Sequence, residues 1–229
     1  MSYEKIAYYY DLLHADLEED IPFLLQEIAE IGGPILELGC GSGRLLRPIA
    51  RAGYNITGVD NSRAMLALAR EHLLTEEEAV VRERITLVEG DMLQLDLPTQ
   101  TFGLGLIPYN TCLHLRPSQI RPLLRGVRPL LKPNGRFIID LISPTMIIDL
   151  PEIDQLELET VIEDPQSGRE IQQWYRHQLN VAEQTYQINW VFKEVDGETV
   201  VRETAVKIPC HYYFPHQLQM NLENAGFKL

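Results

Sequence analysis

Up to about residue 148, the chain alternates between short runs that are apolar throughout and segments in which apolar residues recur at helical spacing. Residues 35–38 form such a run, and Ile21, Leu24 and Ile28 show the helical spacing. Continuously apolar strands are typical of a parallel sheet covered by helices on both faces. The pattern therefore predicts a doubly wound α/β domain over residues 1–148. The predicted strands are 35–38, 55–59, 85–88, 102–107 and 136–141, and the predicted helices include the first thirty residues, 44–52, the segment after Asn61 or Ser62, and 117–131.

Beyond Pro151 the pattern changes to the alternation of half-buried strands. Tyr186, Ile188, Trp190 and Phe192 alternate with other residues along one predicted strand, and Asp196-Gly197 is a typical hairpin turn between two extended runs. The pattern predicts an antiparallel sheet with one buried face, inserted after the fifth parallel strand. The insert spans residues 149–212, with strands at 156–163, 170–180, 184–195 and 199–209, and residues 213–229 carry the last helix.

Charge and cysteine content narrow the classes of partner. The 20 Lys and Arg residues against 33 Asp and Glu residues give a net charge of −13, which disfavours binding to nucleic acid or anionic membrane. No apolar run is long enough to cross a bilayer, and the N-terminus lacks the pattern of a signal peptide. The three cysteines are too few for a disulfide framework and lack zinc-site spacing. We therefore expect a cytoplasmic protein without a metal site and without nucleic acid or membrane partners.

A glycine-rich loop follows the first predicted strand, in the segment Glu37-Leu38-Gly39-Cys40-Gly41-Ser42-Gly43. Such glycines let a ligand lie against the main chain at the carboxyl end of the strand, where open α/β sheets bind ligands. A dinucleotide-binding loop would carry glycine or alanine at position 44, but this chain has Arg44. Glu37 would repel a pyrophosphate and attract an ammonium group. The loop therefore favours a ligand with an ammonium group over a dinucleotide.

Two further acidic residues end the next two predicted strands. Asp60 lies about 20 residues after the first glycine, where a carboxylate can accept hydrogen bonds from both hydroxyls of a ribose. Asp91 ends the third strand beside Met92, whose soft thioether suits a flat ring such as adenine. Together with the glycine loop, these residues predict a nucleoside site without phosphate recognition.

Four segments together resemble the class I S-adenosylmethionine-dependent methyltransferases. They are ELGCGSG at 37–43, GVDNSRAML at 58–66, VEGDM at 88–92 and PYNTCLHL at 108–115. The resemblance implies a Rossmann-like fold, S-adenosyl-L-methionine as cofactor and S-adenosyl-L-homocysteine as product. It also implies a methionine site at the glycine loop, a ribose site at Asp60, an adenine site at Asp91 and Met92, and a wall near the sulfonium. The residues that it implies in cofactor binding are Glu37, Gly39, Cys40, Gly41, Gly43, Arg44, Asp60, Asn61, Met65, Asp91, Met92, Pro108 and Tyr109.

The N-terminal YYDLLH, the stretch at 109–115 and the four-stranded insert are similar to a subgroup, the small-molecule N-methyltransferases that act on amino sugars or on glycine and sarcosine. In that subgroup an N-terminal tyrosine closes over the cofactor, which implies Tyr10 as a catalytic residue and Tyr9 as its cofactor-binding neighbour. The resemblance also implies His114 as a base. The alternative for the tyrosines is packing of the amphipathic N-terminal helix, and the alternative for His114 is a helix cap or a packed ring.

The end of the sequence departs from the family pattern. In the family, the last helix leads through an AGF-like segment into a final antiparallel hairpin, whereas this sequence stops at Leu229, two residues after Phe227. We therefore expect the hairpin to be missing and the fifth strand to be an uncovered edge, a feature that promotes association. Truncation of the chain and a partner subunit on that edge are alternative explanations. The edge and the insert are both candidate surfaces for a homodimer.

The sequence therefore predicts methyl transfer to nitrogen or oxygen of a small-molecule acceptor by in-line displacement without a metal. Two alternatives stay open: a non-catalytic cofactor-binding or interaction protein of the same fold, and an NAD-dependent oxidoreductase. Arg44 disfavours the oxidoreductase. Cofactor binding without methyl transfer would favour the non-catalytic alternative.

Overall fold

Five parallel strands form the central sheet of the computed structural model, which describes residues 2–14, 16–75, 78–151 and 153–229. Their order in the sheet is β3-β2-β1-β4-β5. The direction of winding therefore reverses between β1 and β4, the place where such sheets bind ligands. The strands are β1 Ile35–Leu38, β2 Ile56–Asp60, β3 Ile85–Glu89, β4 Phe102–Ile107 and β5 Leu131–Ile139.

Helices cover both faces of this sheet. Along β1, Ile35 belongs to one hydrophobic core, whereas Leu36 and Leu38 belong to the other, and both faces of the strand are buried. This explains why the sequence of β1 is apolar without alternation, apart from Glu37. The helices are α1 Ser2–His14, α2 Ile21–Ile31, α3 Leu46–Arg51, α4 Arg63–Leu74, α5 Ala79–Glu83, α6 Pro117–Val127, α7 Pro144–Ile148 and α8 Pro215–Asn224.

A cap favours α4, and the pattern of apolar residues favours α6. Ser62 caps α4, because its hydroxyl accepts a hydrogen bond from Met65 N at 3.2 Å. The helix α6 buries Ile120, Leu123, Leu124 and Val127, which share one helical face.

The helix predicted over 117–131 is four residues too long. It ends at Val127, and residues 128–130 form a 3₁₀ turn that contains Pro129, which cannot donate an α-helical hydrogen bond. The strand β5 then begins at Leu131 instead of 136. Its pairing with β4 passes from Leu131 directly to Arg136, so the predicted turn at 132–135 is an excursion within the strand.

A separate antiparallel sheet in the order β6-β7-β8-β9 follows β5, which confirms the predicted insert. Its strands are β6 Glu157–Glu163, β7 Glu170–Asn180, β8 Thr185–Asp196 and β9 Thr199–His211. The predicted stripe on β8 includes the buried residues Tyr186 and Phe192. Phe192 stacks on Tyr9 of α1, with ring centroids 4.8 Å apart. This face of the insert is therefore packed against α1, whereas the domain limits at 148 and 212 stay a prediction.

Among the described residues, no helix has both the length and the apolar character that a bilayer span would need.

Candidate active site

Two adjoining cavities, of about 230 and 310 Å³, lie at the carboxyl ends of β1, β2 and β4, next to α1. Five residues line both cavities, so the two cavities are parts of one site. The shared residues are Tyr10, Gly39, Gly41, Tyr109 and Thr111. The smaller part extends over the glycine loop toward α3, and the larger part extends toward β2 and β9.

The glycine loop offers its main chain to a ligand. Gly39 and Gly41 have φ of +77° and +56°, a region that side chains disfavour. A Cβ on Gly39 would lie 2.3 Å from Thr111 Cγ2, whereas a Cβ on Gly41 would meet nothing within 4 Å. Gly39 N and Cys40 N both donate to Val59 O, at 2.7 and 3.1 Å, which ties the loop to β2. A ligand can therefore approach the loop at Gly41 without obstruction.

Asp60 is held rigidly at the end of β2. Its Oδ2 accepts a hydrogen bond from Gly41 N and its Oδ1 accepts one from Ser62 N, each at 2.8 Å. Burial raises the pKa of Asp60, although the backbone N–H groups oppose that shift. Each oxygen keeps lone pairs for further donors. Asn61, Met65 and Met92 line the same larger cavity, as the sequence predicts.

Glu37 is a buried carboxylate with an unsatisfied oxygen. The residue is 2% exposed, and its Oε2 has no hydrogen-bond partner. Burial raises the pKa of Glu37 to about 8, although the charge of Arg44 works in the opposite direction. Since Glu37 lines the smaller cavity, its free oxygen is suited to a cationic ligand group that enters there.

The guanidinium of Arg44 is bound by other residues of the protein. Its guanidinium makes a bidentate ion pair with Asp20, at 2.5 and 2.7 Å, and donates to Leu17 O at 2.8 Å. Its Cζ lies 5.3 Å from the centroid of the Tyr109 ring. Arg44 therefore fixes the connection between α1 and α2 and supports Tyr109, a role that the motif alone does not reveal.

The segment after β4 is strained. Tyr109 and Asn110 have φ of +47° and +64°, which is uncommon for residues with side chains. Asp140 holds both residues, because its Oδ2 accepts from Tyr109 N at 3.0 Å and its backbone O accepts from Asn110 N at 3.1 Å. In addition, Asn110 Oδ1 accepts from Ile142 N at 2.6 Å. The strain turns Tyr109 toward the cavities, which Pro108 also lines.

Tyr10 reaches the site from α1 and lines both cavities. Its ring stacks on His14, with centroids 3.9 Å apart, and lies 6.4 Å from the Trp190 ring of the insert. His14, which also lines the smaller cavity, is absent from the sequence prediction. The signal for it was its position one helical turn after Tyr10.

His114 lines the larger cavity from the 3₁₀ turn Thr111–His114. Its Nε2 lies 3.1 Å from Tyr3 Oη, and its Nδ1 lies 3.8 Å from Cys210 Sγ. The surrounding protein atoms lower the pKa of His114 to about 4, although water reaches the ring through the cavity. The ring is therefore neutral near pH 7. Tyr3, another cavity residue from α1, is absent from the sequence prediction.

Two predicted cofactor residues do not reach the cavities. Tyr9 is 3% exposed, stacks on Phe192, and donates from Oη to Glu194 Oε1 at 2.7 Å. It lies in the interface with the insert, because one residue along a helix turns a side chain by about 100°. Asp91 is exposed, and its Oδ1 accepts from Leu93 N at 2.9 Å in a local turn. The other two loop residues, Cys40 and Gly43, line the smaller cavity.

Comparison with known families and proteins shows what the chain is similar to. Residues 35–135 match the family model of a methyltransferase domain. The mitochondrial ubiquinone biosynthesis O-methyltransferase of Schizosaccharomyces pombe is 30% identical over 152 residues, which are 64% of this chain and 53% of that protein. The chain spans about half the length of the curated relatives it matches.

Solved structures share the fold over most of the chain. The sugar N-methyltransferase KedS8 from Streptoalloteichus sp. ATCC 53650 is 18% identical, with a TM-score of 0.73 over 95% of this chain and 83% of that one. The glycopeptide N-methyltransferase MtfA in complex with S-adenosyl-L-methionine is 26% identical, with a TM-score of 0.58 over 90% of this chain and 76% of that one. The predicted fold class, a Rossmann-like domain with an antiparallel insert, is confirmed.

Proposed function

We propose that this chain, whose residues 35–135 match the family model of a methyltransferase domain, is a class I S-adenosylmethionine-dependent methyltransferase that transfers a methyl group to nitrogen or oxygen of a small-molecule acceptor. One observation carries the proposal: two carboxylates, Glu37 and Asp60, face adjoining cavities across the glycine loop. One has an unsatisfied buried oxygen and the other is fixed by backbone N–H groups.

The residues at the site fit S-adenosyl-L-methionine, the cofactor of this domain family. Glu37 would receive its ammonium group, Asp60 would accept from its ribose hydroxyls, and Met65 and Met92 would pack against its adenine. When bound, the cofactor supplies a methyl group on a sulfonium centre, and S-adenosyl-L-homocysteine is the product. The open space at Gly41 admits a ligand against the main chain.

The acceptor would bind where aromatic side chains from three parts of the chain converge. Tyr10 of α1 and Tyr109 after β4 line both cavities, and the ring of Trp190 of the insert lies 6.4 Å from that of Tyr10. Aromatic faces stabilise nearby positive charge, and a fixed wall holds the nucleophile in line with the methyl group. The names of KedS8 and MtfA support nitrogen as the acceptor atom, and that of the ubiquinone enzyme supports oxygen.

Isothermal titration with S-adenosylmethionine, S-adenosylhomocysteine and NAD tests the cofactor part of the proposal. We expect binding of the first two ligands and not of NAD. Asp60→Ala should weaken binding by roughly ten- to a few hundred-fold, because it removes a bidentate ribose contact.

Glu89→Ala is the matched control. Glu89 is the parallel-strand neighbour of Asp60, and its carboxylate makes an exposed ion pair with Arg63 at 2.7 Å. Equal loss of affinity in both variants, or no binding to the folded wild type, would contradict the proposed site. Binding without methyl transfer to any small amine or alcohol would favour the non-catalytic alternative.

A further inference from the structure

Three elements bring a tyrosine, a histidine and a cysteine together at the larger cavity. Tyr3 comes from α1, His114 from the turn after β4, and Cys210 from β9. Tyr3 Oη and His114 Nε2 are 3.1 Å apart, and His114 Nδ1 and Cys210 Sγ are 3.8 Å apart. The Tyr3 ring also meets the rings of His114 and Tyr10 edge-on, at 5.3 and 5.2 Å. The three groups form a chain of contacts that begins at the cavity and ends in the insert.

The thiol at the buried end of this chain has one hydrogen and two acceptors within reach, Ile208 O and His114 Nδ1. Cys210 is 2% exposed, and its thiol donates to Ile208 O, with Sγ and O 3.9 Å apart. Burial raises the pKa of Cys210 to about 12, so the thiol keeps its proton. When the thiol hydrogen points to Ile208 O, a sulfur lone pair faces His114 Nδ1, which can then donate its N–H across the 3.8 Å contact. When it points to His114 Nδ1 instead, the ring hydrogen lies on Nε2, and the two arrangements differ in the tautomer of His114.

The neutral ring of His114 carries a single hydrogen. If Nδ1 carries it, Nε2 has only a lone pair, and the hydroxyl of Tyr3 donates to Nε2. The Tyr3 hydrogen then points away from the cavity, whereas the oxygen lone pairs remain available to a ligand in the cavity that Tyr3 lines.

We propose that Tyr3 is the hydrogen-bond acceptor for the substrate's own nucleophilic N–H or O–H group, and that His114 is a positioning residue that keeps the Tyr3 hydroxyl in this orientation. This inference rests on the proposed methyl transfer. It predicts that the acceptor carries at least one hydrogen on its reacting atom, as in a primary or secondary amine or an alcohol.

The direction of this bond matters for the chemistry. An amine that donates N–H to Tyr3 keeps its nitrogen lone pair free for attack on the methyl carbon. As the C–N bond forms, the C–S bond of the sulfonium would break, S-adenosylhomocysteine would leave as a thioether, and the methylated ammonium would release its proton to water. A Tyr3 that donated O–H into the cavity would instead occupy that lone pair and hinder attack. His114 thus acts through Tyr3, and its depressed basicity is compatible with this role because it need not hold a proton taken from the substrate.

Nitrogen NMR of the protein labelled with ¹⁵N-histidine tests the inference without any acceptor. We expect His114 to be neutral near pH 7, with its hydrogen on Nδ1 and a lone pair on Nε2. Tyr3→Phe should shift the Nε2 resonance, because that nitrogen loses its donor. Tyr8→Phe is the matched control, since Tyr8 lies on the same helix but its hydroxyl donates to Asp164. A hydrogen on Nε2 in the wild type, or a protonated ring near pH 7, would overturn the inference.

Kinetics with a panel of small primary, secondary and tertiary amines gives a second readout. We expect Tyr3→Phe and His114→Ala each to lower kcat/KM for the primary and secondary amines by roughly ten- to a hundred-fold, and the double variant to lose no more than either single variant. Fully additive losses, or turnover of tertiary amines as fast as primary ones, would contradict the role of Tyr3. Binding of S-adenosylhomocysteine distinguishes failure of the proposed function from failure of this inference. A folded wild type that does not bind S-adenosylhomocysteine refutes the proposed function. The NMR measurement decides the orientation of the Tyr3 hydroxyl in either case.

Discussion

At the residue scale, the burial of Glu37 lowers the stability of the ligand-free protein and favours the binding of a cationic ligand group. The carboxyl group of Glu37 is 2% exposed and has one unsatisfied oxygen, so it resists ionisation, and burial raises its pKa to about 8. Arg44 favours the ionised form, whereas Asp60 and Asp20 disfavour it. A cationic ligand group would relieve this cost, so the residue is best satisfied in the bound state.

The raised pKa of Glu37 makes stability depend on pH. Between its unfolded pKa, near 4.5, and its folded pKa of about 8, the folded state binds more protons than the unfolded state. The contribution of Glu37 to stability therefore falls as pH rises through that window, on the order of 1 kcal/mol per pH unit. Glu37→Gln removes this fall and should also weaken S-adenosylhomocysteine binding.

Thermal denaturation of the ligand-free wild type and Glu37→Gln at pH 6 and pH 8 checks this expectation. The difference between the two Tm values should grow in favour of the variant as pH rises, because all other titrating groups are common to both proteins. Parallel Tm changes in the two proteins would show that Glu37 does not titrate in this range.

Site residues at strand ends were predictable, because the sheet itself brings them together. Glu37, Asp60 and Met92 belong to strands or strand ends whose carboxyl edges meet, so their order in the sequence is enough to place them at one site. Tyr3 and His114 meet across 111 residues, and no local pattern reveals that contact. The hydrogen-bond direction at His114 depends in turn on Cys210 of the insert, which is further still from any motif.

At the element scale, one face of α1 lines the cavities and another face packs against the insert. Tyr3, Tyr10 and His14 line the cavities, and their spacings of seven and four residues place them on one face of a helix. Tyr8 and Tyr9 lie on another face and donate to Asp164 and Glu194 of the insert. The amphipathic pattern predicts that α1 exists, but contacts with the insert and with α4 orient its faces, so that Tyr10 lines the cavities and Tyr9 does not.

The rotation of α1 yields a prediction for Tyr9→Phe. The variant keeps the stacking on Phe192 and loses the hydrogen bond to Glu194, so we expect a loss of stability of about 1 kcal/mol. The Kd of S-adenosylhomocysteine should stay within about a factor of two of wild type, a change below about 0.4 kcal/mol. Thermal denaturation and calorimetry of the same preparation measure both quantities. A large loss of S-adenosylhomocysteine affinity with little loss of stability would show that Tyr9 belongs to the cofactor site.

At the scale of the whole molecule, the outer face of the insert is the strongest candidate surface for a second copy of this chain, and we propose a homodimer there. Leu158 and Val161 of β6 and Val200 of β9 are 48%, 47% and 49% exposed. By strand register, they share the face opposite to the one that packs on α1. Association would bury these apolar side chains, whereas two copies of net charge −13 repel each other.

Light scattering during gel filtration tests this homodimer. We expect twice the mass of one chain, with a larger dimer fraction at about 300 mM than at about 50 mM salt, because salt screens the repulsion between copies. Val161→Glu should shift the protein to monomer. Met220→Glu, at an apolar residue of α8 that is 55% exposed, should not. A single-chain mass under all conditions would refute the dimer, and a dimer that survives Val161→Glu would point to the edge strand β5.

The attachment of α1 to both the α/β domain and the insert affects how fast a bound ligand can leave the site. Besides its bonds to the insert, α1 accepts N–H groups at the start of α4 through Glu4, and Asp11 pairs with His72 at 2.9 Å. The same helix covers the cavities with Tyr3 and Tyr10. A ligand enclosed beneath α1 leaves only as fast as these contacts loosen. We therefore expect the residence time of the ligand to depend also on Glu4, Tyr8 and Tyr9, which line neither cavity.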